Sequence, residues 1–593
     1  MKIKDKISAV LSHRQMPWIM ALLAMFLILP SLRVGWQLDD NFHRLILLGK
    51  TPPSGVKISP LSLFSFLNGD SVKTHALMDE GYLPWWTLED IRIRFFRPLT
   101  IFTHWLDYRL WPNNAALMHL QSILWYGALI AAAAFFYRRM LGAGWVAGLA
   151  AFFYAADKAH GVPAGWLANR NAVLAAFFGL LTLILHDRWR RDGWRPARAL
   201  APLSFLLALL SAEFGVGTAA YLFAYAVFIE RGRRSDKFLS LLPYGLILTL
   251  WLVGYHAFGY GAWGSGYYVD PAREPLEFMK SIGFKAPLLL AGQWLGFPLG
   301  PAAVLPTNVV RIAWQISLAA SVVMVAALSP LLRHNALARF WGLGMLLSLL
   351  PICAVFPNER LFFFVGIGTM GLLSKFIQTL REHPSWFYRR RFWRFFAYGL
   401  SGLFLLIHGV LSPMLLPLSS LGSTFVEPFI AKAAESLPND SNITQQDLIL
   451  VNPPLVFFAH HLPITLFLQD RPLPHTFRVL AQGSSSLQIK RIGERSLSIR
   501  PQDGFMNTVN EILFRSASHP MAVGQKVLMT GMSVEIASLT ADGRPVEAIF
   551  RFDVPLDEAS MRWMQWKNGV YVPFVPPSIG QTITLSPVTL FDR

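Results

Sequence analysis

The sequence predicts a polytopic α-helical membrane protein that ends in a β-rich α+β domain. Of its 593 residues, 53% are hydrophobic and only 15% are charged, whereas a soluble globular protein carries about 25% charged residues. Several segments also continue for about 20 residues almost without charge, which is the length that a helix needs to cross a bilayer. From about residue 419 onward the composition changes to that of a soluble domain.

Basic residues produce a formal net charge of +18. They lie in short loops between the apolar segments rather than on one soluble face, from Lys2 and Lys4 at the start to Arg389 and Arg390 before the last segment. This distribution is typical of the cytoplasmic loops of membrane proteins. It excludes a nucleic-acid partner and predicts a cytoplasmic N-terminus. The one cysteine, Cys353, excludes an intramolecular disulfide and a cysteine-built metal site.

About eleven spans follow from these loops, with the C-terminus on the extracytoplasmic side. The apolar stretch 199–229 has basic loops on both flanks, so we predict two spans there, with Glu213 at the outer turn between them. The other spans are predicted at residues 18–34, 115–136, 145–154, 171–185, 239–257, 312–331, 340–356, 361–380 and 397–416.

Two domains are expected from this pattern. Residues 1–418 form the transmembrane domain, with a large first outer loop at 35–114, and residues 419–593 form a periplasmic β-rich domain. In the loop, 61–66 and 101–110 are predicted to be interfacial helices. The segment 259–285 is expected outside, and the proline-broken stretch up to Thr307 re-enters the membrane or lies flat. The C-terminal domain has predicted strands at 447–451, 525–532 and 546–554, a helix at 457–468 and a hairpin turn at 541–544.

The polar residues that stand out all fall on the predicted outer side. Asp39 and Asp40 directly follow the first span, where a carboxylate is able to act as a general base toward a hydroxyl group. Basic groups on the same surface would hold a phosphate and neutralise charge on a leaving group. The candidate substrate-binding residues are Arg97, Asp157, Lys158, His160, Arg170, Glu213 and Arg360.

Structural roles are open for several of these candidates. Asp40 is also placed to cap a helix, Glu213 to pair with an interior arginine, and Arg360 to pair with its neighbour Glu359. The histidine candidate is equally consistent with a satisfied interfacial side chain, and the lysine with a side chain that extends to the membrane surface.

Known cofactor and hydrolase motifs do not occur in the sequence. Asp157, His160 and Glu213 lack a recognised metal-ligand spacing, so no cofactor is predicted and a divalent metal is without support. There is no Walker motif, GxSxG or HExxH, so ATP-driven transport and standard hydrolase chemistry lack support.

The order of these features resembles the GT-C class of integral membrane glycosyltransferases, and within it the protein O-mannosyltransferase relatives. Residues 38–44 (LDDNFHR) are similar to the acidic motif of their first outer loop, and 96–111 (FRPLTIFTHWLDYRLW) to the Arg-Pro-Leu segment that follows. Residues 160–181 (HGVPAGWLANRNAVLAAFFGLL) resemble a stretch with histidine, tryptophan and arginine. Two shorter motifs are also similar: 209–216 (LLSAEFGV) to a Ser-Lys-Glu segment, and 357–368 (PNERLFFFVGIG) to a Glu-Arg-Leu motif before a late span.

The resemblance covers residues 18–416 and implies a reaction. A sugar would pass from a polyprenyl-phosphate-linked donor in the membrane to a hydroxyl of a glycan or protein acceptor, on the extracytoplasmic side and with inversion. It implies Asp39 as the base, with Asp40 beside it. The phosphate would leave near Arg97, Arg170 or Arg360.

Departures from the family pattern keep other functions open. Val162 stands where the family has a glutamate, Ala212 where it has a lysine, and Asp157 where it has the first histidine. The alternatives are a flippase or transporter for lipid-linked glycans and an inactive GT-C-like scaffold that presents the C-terminal domain. The absence of disulfides and of targeting motifs predicts a bacterial inner membrane as the location, with the C-terminal domain in the periplasm.

Overall fold

The computed structural model describes residues 3–50, 59–300, 307–386 and 391–590. The chain divides into two compact units. A helical unit comprises Met1–Trp36, Phe95–Gly259 and Pro271–Gly422, and a β-rich unit comprises Gln37–Arg94, Tyr260–Asp270 and Ser423–Arg593. Lys2, Arg389 and Arg390, which belong to the predicted cytoplasmic loops, lie outside the described residues.

Eight helices in the described residues are long and apolar enough to cross a membrane. Their lengths of 18 to 27 residues correspond to about 27–40 Å of helix, enough for the hydrocarbon core of a bilayer. Shorter apolar helices fall on three more predicted spans: Trp145–Ala155, Ala197–Ser211 and Glu213–Phe228. The prediction of a polytopic helical membrane protein is therefore confirmed. The eight long helices are Met16–Arg33, Ala115–Leu141, Leu167–Asp192, Arg234–Ala257, Val309–His334, Ala336–Cys353, Phe363–Glu382 and Phe395–Ser419.

The apolar stretch 199–229 is divided into two helices, as its basic flanks predict. The first helix ends at Ser211, because the next residue, Ala212, has extended backbone angles (φ −163°, ψ 152°). The chain then reverses through a 3₁₀ turn at Glu213–Val216. A Cβ on Gly215 would lie 2.6 Å from the carbonyl oxygen of Ala208, so this close turn requires a glycine at that position.

Basic residues from different predicted cytoplasmic loops meet at one end of the helical unit. Arg139 forms ion pairs with Asp187 at 2.5 Å and with Asp192 at 3.0 Å, joining two of the long helices. Arg138 Nη1 donates a hydrogen bond of 2.8 Å to the carbonyl oxygen of His13, near the N-terminus. These loops therefore share one end of the unit, which is what a positive-inside arrangement requires.

The predicted interfacial helix at 101–110 is found in the structure, whereas the predicted break in the proline-containing stretch is not found over its first part. The predicted helix at 101–110 is part of the longer helix Pro98–Leu110. The predicted break in the proline-containing stretch is wrong over its first part, because the helix Pro275–Leu295 continues through Pro287. A proline inside a helix removes one backbone hydrogen bond but does not always end the helix. The rest of that stretch includes residues 301–306, which are outside the described residues.

Thirteen strands form three sheets in the described part of the β-rich unit. One sheet has the order β1-β2-β3, a second the order β13-β6-β7-β10-β9-β8, and a third the order β12-β11-β4-β5, in which β11, β4 and β5 are parallel. The strands are β1 Ser65–Asn68, β2 Arg92–Arg94, β3 Gly261–Trp263, β4 Asp447–Leu450, β5 Thr476–Val479, β6 Leu487–Gly493, β7 Ser496–Pro501, β8 Lys526–Met529, β9 Met532–Leu539, β10 Pro545–Phe552, β11 Met561–Lys567, β12 Val570–Pro573 and β13 Thr582–Leu585.

The β-rich character of the C-terminal region is confirmed, and β4, β8 and β10 coincide with the predicted strands. The predicted turn at 541–544 connects β9 to β10, and β9 itself was not predicted. The predicted helix at 457–468 is two short helices, Val456–Ala459 and Leu462–Leu468. The predicted helix at 61–66 is wrong: a 3₁₀ turn there leads into β1, because pairing with β2 satisfies its backbone groups.

Part of the first predicted loop belongs to the core of the β-rich unit. Trp85 and Trp86 are buried, and their indole nitrogens donate to the carbonyl oxygens of Leu480 and Glu511 at 2.9 and 3.0 Å. Arg515 Nε donates in turn to the carbonyl oxygen of Trp86 at 2.7 Å. Residues 37–94 and the C-terminal region thus share one set of buried contacts.

Candidate functional site

The candidate residues are divided between the two units. Asp39 and Asp40 belong to the β-rich unit, and the seven predicted substrate-binding residues belong to the helical unit. The surroundings of each set are therefore described within its own unit.

Asp39 and Asp40 begin the helix Asp39–Leu47, and only the second carboxylate is buried. Asp40 Oδ2 accepts a hydrogen bond of 3.1 Å from the backbone nitrogen of Gln37, whereas the Asp39 side chain is half-buried. Leu38, directly before the pair, has a positive φ of 43° with ψ −114°. That combination is strained for a residue with a Cβ, and such strain is concentrated at functional sites. The structure thus holds the aspartate pair in a strained turn.

A helix of the C-terminal region lies beside the helix that Asp39 begins. The helices Asp39–Leu47 and Leu462–Leu468 pack against each other, and just beyond their C-terminal ends Lys50 Nζ and Asp470 Oδ1 form an ion pair of 3.2 Å. The two helices are therefore parallel, so His461, which precedes the second helix, lies near the same end as Asp39. Burial lowers the pKa of His461, and the negative charge of Asp39 acts in the opposite direction.

A small cavity in the helical unit is lined by two of the predicted residues, Asp157 and Lys158. Asp157 caps a 3₁₀ turn, because its Oδ1 accepts from the backbone nitrogen of Ala159 at 3.0 Å. Its Oδ2 accepts from Gln293 Nε2 at 2.9 Å. Both side chains of this carboxylate–amide pair are buried. Buried polar pairs of this kind inside a membrane bundle mark a functional site by default.

His408 completes the buried wall of this cavity. It lies in the long helix Phe395–Ser419, within a π-helical turn at Ile407–Leu411, and such turns often occur at functional sites. Its Nε2 lies 3.0 Å from the carbonyl oxygen of Trp294. Sequence reasoning missed both His408 and Gln293, although a histidine inside a predicted span is a signal that was present.

Two predicted cations, Lys158 and Arg360, form no ion pair with the described residues, and only Lys158 lines the cavity. The side-chain ammonium of Lys158 forms no hydrogen bond or ion pair with the described residues. The guanidinium of Arg360 lies 5.5 Å from the ring centre of Trp166. Its neighbour Glu359 does not pair with it, because Glu359 Oε2 accepts instead from the backbone nitrogen of Leu299 at 2.9 Å.

The turns that carry these two cations are adjacent. The 3₁₀ turns Lys158–His160 and Glu359–Leu361 pack against each other. Each cation is next in sequence to a carboxylate, Asp157 or Glu359, and both carboxylates line the cavity. Because neither cation forms an ion pair with them, both cations are available to an anionic group such as a phosphate.

Arg97 and Glu213 bind each other rather than facing an open site. Arg97 Nη2 lies 2.8 Å from Glu213 Oε2, and Glu213 Oε1 also accepts from the backbone nitrogen of Phe96 at 3.1 Å. Tyr255 adds a longer contact of 3.4 Å to the same oxygen. This pair attaches the turn at Glu213 to the start of the helix Pro98–Leu110.

Arg170 is fully buried and its guanidinium is occupied by protein acceptors. Its exposed fraction is 0%, and Nη1 lies 2.6 Å from Asp107 Oδ2, which is also fully buried. Nε donates to Ser122 Oγ and Nη2 to the carbonyl oxygen of Met118, each at 2.8 Å. Nη1 also donates to Gln121. These contacts connect three helices, Pro98–Leu110, Ala115–Leu141 and Arg170–Asp192.

His160 lies in an aromatic environment. Its ring stacks on Phe363 at 4.4 Å between ring centres, and its Nδ1 lies 3.3 Å from the hydroxyl oxygen of Tyr126. Burial lowers the pKa of His160 to about 4, so the side chain is neutral near pH 7. Within the described part of the chain, no group of three or more histidine, cysteine, aspartate or glutamate side chains is arranged to hold a metal ion.

Comparison with known proteins gives only distant likenesses. No protein-family model matches the chain, and no curated protein sequence matches it. Among solved structures, it is similar to the Archaeoglobus fulgidus oligosaccharyltransferase tethered to an acceptor peptide containing the NVT sequon, at 11% identity and a TM-score of 0.39, over 80% of this chain and 65% of that one.

Two other solved structures show a likeness of the same order. ArnT from Cupriavidus metallidurans in the apo state has 13% identity and a TM-score of 0.37, over 78% of this chain and 85% of that one. AglB from Archaeoglobus fulgidus with an inhibitory peptide and a dolichol-phosphate has 11% identity and a TM-score of 0.37, over 78% and 65%.

Proposed function

We propose that the chain is a membrane glycosyltransferase of the GT-C class that uses a polyprenyl-phosphate-linked sugar. The observation that carries the proposal is the pair of adjacent turns in the helical unit that hold Lys158 and Arg360, two cations that form no ion pair with the described residues. The motif series at residues 38–44, 96–111, 160–181, 209–216 and 357–368 supports the same class.

Lys158 and Arg360 are proposed to bind the phosphate of the donor. An arginine presents several donors to phosphate oxygens, and an ammonium group adds a second positive charge. Both groups would stabilise the negative charge that develops on the phosphate as the sugar leaves it. A polyprenyl carrier suits a site among apolar helices, because its chain stays in the membrane while its phosphate reaches the cations.

Asp39 is proposed as the general base. The acceptor hydroxyl gives its proton to the Asp39 carboxylate while its oxygen forms a bond to the anomeric carbon. The bond from that carbon to the phosphate oxygen breaks, and the carrier phosphate leaves with the electron pair. A single displacement inverts the configuration. Asp40 is a supporting residue in this scheme, because its carboxylate is buried and binds the backbone of Gln37.

The remaining candidates are proposed to act through structure. Arg97 with Glu213, and Arg170 with Asp107, form internal ion pairs that fix the turns around the site. His160 is proposed to support its turn through aromatic stacking. Asp157 is the exception, because it lines the cavity beside Lys158 and is a candidate for direct contact with the substrate.

The resemblance also guides the finer proposals. We propose a hexose, of the mannose type that the protein O-mannosyltransferase relatives use, and a glycan or protein acceptor. We propose a bacterial inner membrane with the N-terminus in the cytoplasm, and with residues 419–593 and the active site on the periplasmic side.

The test is glycosyl transfer by the purified full chain in lipid nanodiscs, with radiolabelled polyprenyl-phosphate hexoses as donors and periplasmic glycan and protein fractions as acceptors. We expect Asp39→Asn to lose transfer by 10²-fold or more, in the range of a positioned base, while donor binding is retained. Asp470→Asn is the matched control, because this exposed carboxylate lies at the other end of the same helix pair. Transfer by Asp39→Asn at the wild-type rate would rule out the assignment, and movement of intact lipid-linked sugar without cleavage would indicate a flippase.

A further inference from the structure

Two basic loops, residues 188–198 and 230–237, are joined at one end of the helical unit. Arg190 Nη2 of the first loop and Glu230 Oε1 of the second form an ion pair of 2.5 Å. The other carboxylate oxygen of Glu230 accepts a hydrogen bond of 3.2 Å from Ser240 Oγ, and Glu230 is buried. The two loops therefore form one surface rather than two separate ones.

Most carboxylates of this region are taken by internal ion pairs. Four acidic residues lie in or beside the two loops, and Glu230 is one of them. Asp187 and Asp192 both pair with Arg139, at 2.5 and 3.0 Å. The fourth, Asp236, is exposed and forms no ion pair with the described residues. It is therefore the one carboxylate of the two loops that is left to balance their remaining cations.

Seven basic side chains of the two loops form no ion pair with the described residues. Six of them are exposed arginines, and the seventh is a half-buried lysine. Arginine presents a planar set of donors that matches the oxygens of a phosphate group. The surface thus offers a large excess of positive charge in the form that binds phosphate best. The seven residues are Arg188, Arg195, Arg198, Arg231, Arg233, Arg234 and Lys237.

These cations lie at the depth of the lipid headgroups. One candidate membrane span ends at Asp192, and another begins at Arg234. Trp194, between the two groups of arginines in the first loop, is 39% exposed, and tryptophan is favoured at the membrane interface. The guanidinium of Arg188 lies 5.0 Å from the ring centre of Trp194. The nearest anions to such a surface are the phosphates of the surrounding lipids.

We propose that the two basic loops form a binding surface for anionic phospholipid headgroups in the leaflet on the predicted cytoplasmic side. The exposed arginines bind the phosphodiester oxygens of lipids such as phosphatidylglycerol. Phosphatidylcholine fits less well, because its own quaternary ammonium group neutralises its phosphate. The inference does not depend on the proposed function, which concerns other residues of the helical unit.

The test is native mass spectrometry of the full chain in detergent, titrated separately with phosphatidylglycerol and phosphatidylcholine. We expect the wild-type protein to bind phosphatidylglycerol at least about 10-fold more tightly, because each cation near an anionic lipid surface contributes roughly fivefold. The loop variant Arg195→Gln/Arg198→Gln/Arg233→Gln/Arg234→Gln should lose most of this preference. Lysine at the same four positions keeps the charge and should retain most of it.

The matched control removes four exposed basic residues from the β-rich unit, as Lys490→Gln/Arg500→Gln/Arg562→Gln/Lys567→Gln. It lowers the net charge by the same amount and should keep the wild-type preference. These four side chains also form no ion pair with the described residues, so both variants should melt at the wild-type temperature.

Three results would overturn the inference. The first is a wild-type protein that binds the two lipids equally well, and the second is a loop variant that keeps the full preference for phosphatidylglycerol. The third is an equal loss of the preference in the loop variant and in the matched control, which would show that net charge rather than this surface attracts the lipid.

Discussion

Replacing Arg170 by leucine tests whether this residue supports the helix bundle or binds substrate. The guanidinium and the Asp107 carboxylate are both fully buried and 2.6 Å apart. Removal of one partner leaves the other charge buried without compensation, which costs about 3–5 kcal/mol. The acceptors on Ser122 and Met118 lose their donors as well. We expect Arg170→Leu to lower the unfolding free energy of the full chain by at least this amount.

The double variant Arg170→Leu with Asp107→Leu provides the matched comparison. Removing both charges takes away the uncompensated carboxylate, so most of the lost stability should return. Arg360→Leu is a second control for the unfolding measurement only, because the contact of Arg360 with Trp166 is worth only about 0.5–1 kcal/mol. The assay is denaturant unfolding in detergent together with donor binding. An Arg170→Leu variant with wild-type stability and lost donor binding would refute the structural assignment.

Three further predictions concern single residues. Asp40→Ala should lower the unfolding free energy by about 1–2 kcal/mol, since the backbone nitrogen of Gln37 loses its buried acceptor; unchanged denaturant unfolding would contradict this. Gly215→Ala should destabilise the helical unit and lower the melting temperature in detergent, because the new Cβ would lie 2.6 Å from a backbone oxygen, and an unchanged melting temperature would show that the turn adjusts. Burial lowers the pKa of His460 from 6.5 to about 4, so its contribution of about 3 kcal/mol is present above pH 6.5 and is lost as the pH falls toward 4. His460→Phe should weaken this acid sensitivity in unfolding curves between pH 7 and 4, whereas His475→Phe, which changes an exposed histidine, should retain it.

The helices were predictable from the sequence because their signal is local. Length and lack of charge identify a span without knowledge of its neighbours. Even the division of residues 199–229 followed from the basic flanks, and the structure ends the first helix at Ser211. The strand β1 was missed because its stability depends on pairing with β2, and the sequence around it shows a mixed apolar pattern that does not distinguish a strand from a short helix.

The roles of the charged residues were less predictable because partners are distant in the sequence. Arg170 and Asp107 are 63 residues apart, and no pattern in one sequence indicates that they meet. His408 and Gln293 were missed for a different reason: each is a single polar residue in an apolar segment, which a search for charged clusters on one membrane face passes over. A rule that every polar residue within a predicted span is a candidate would have included His408.

The candidate basic residues carry the same charge but fall into two groups, according to whether a carboxylate of the chain pairs with them. Arg97 and Arg170 carry the same charge as Lys158 and Arg360, but the first two are occupied by carboxylates of the chain. A substrate that displaced these carboxylates would have to replace buried ion pairs, at a cost comparable with the affinity it gains. A substrate phosphate at Lys158 or Arg360 displaces nothing in the described part of the chain. The cations without an ion-pair partner in the described part of the chain are therefore the ones on which we expect substrate binding to depend.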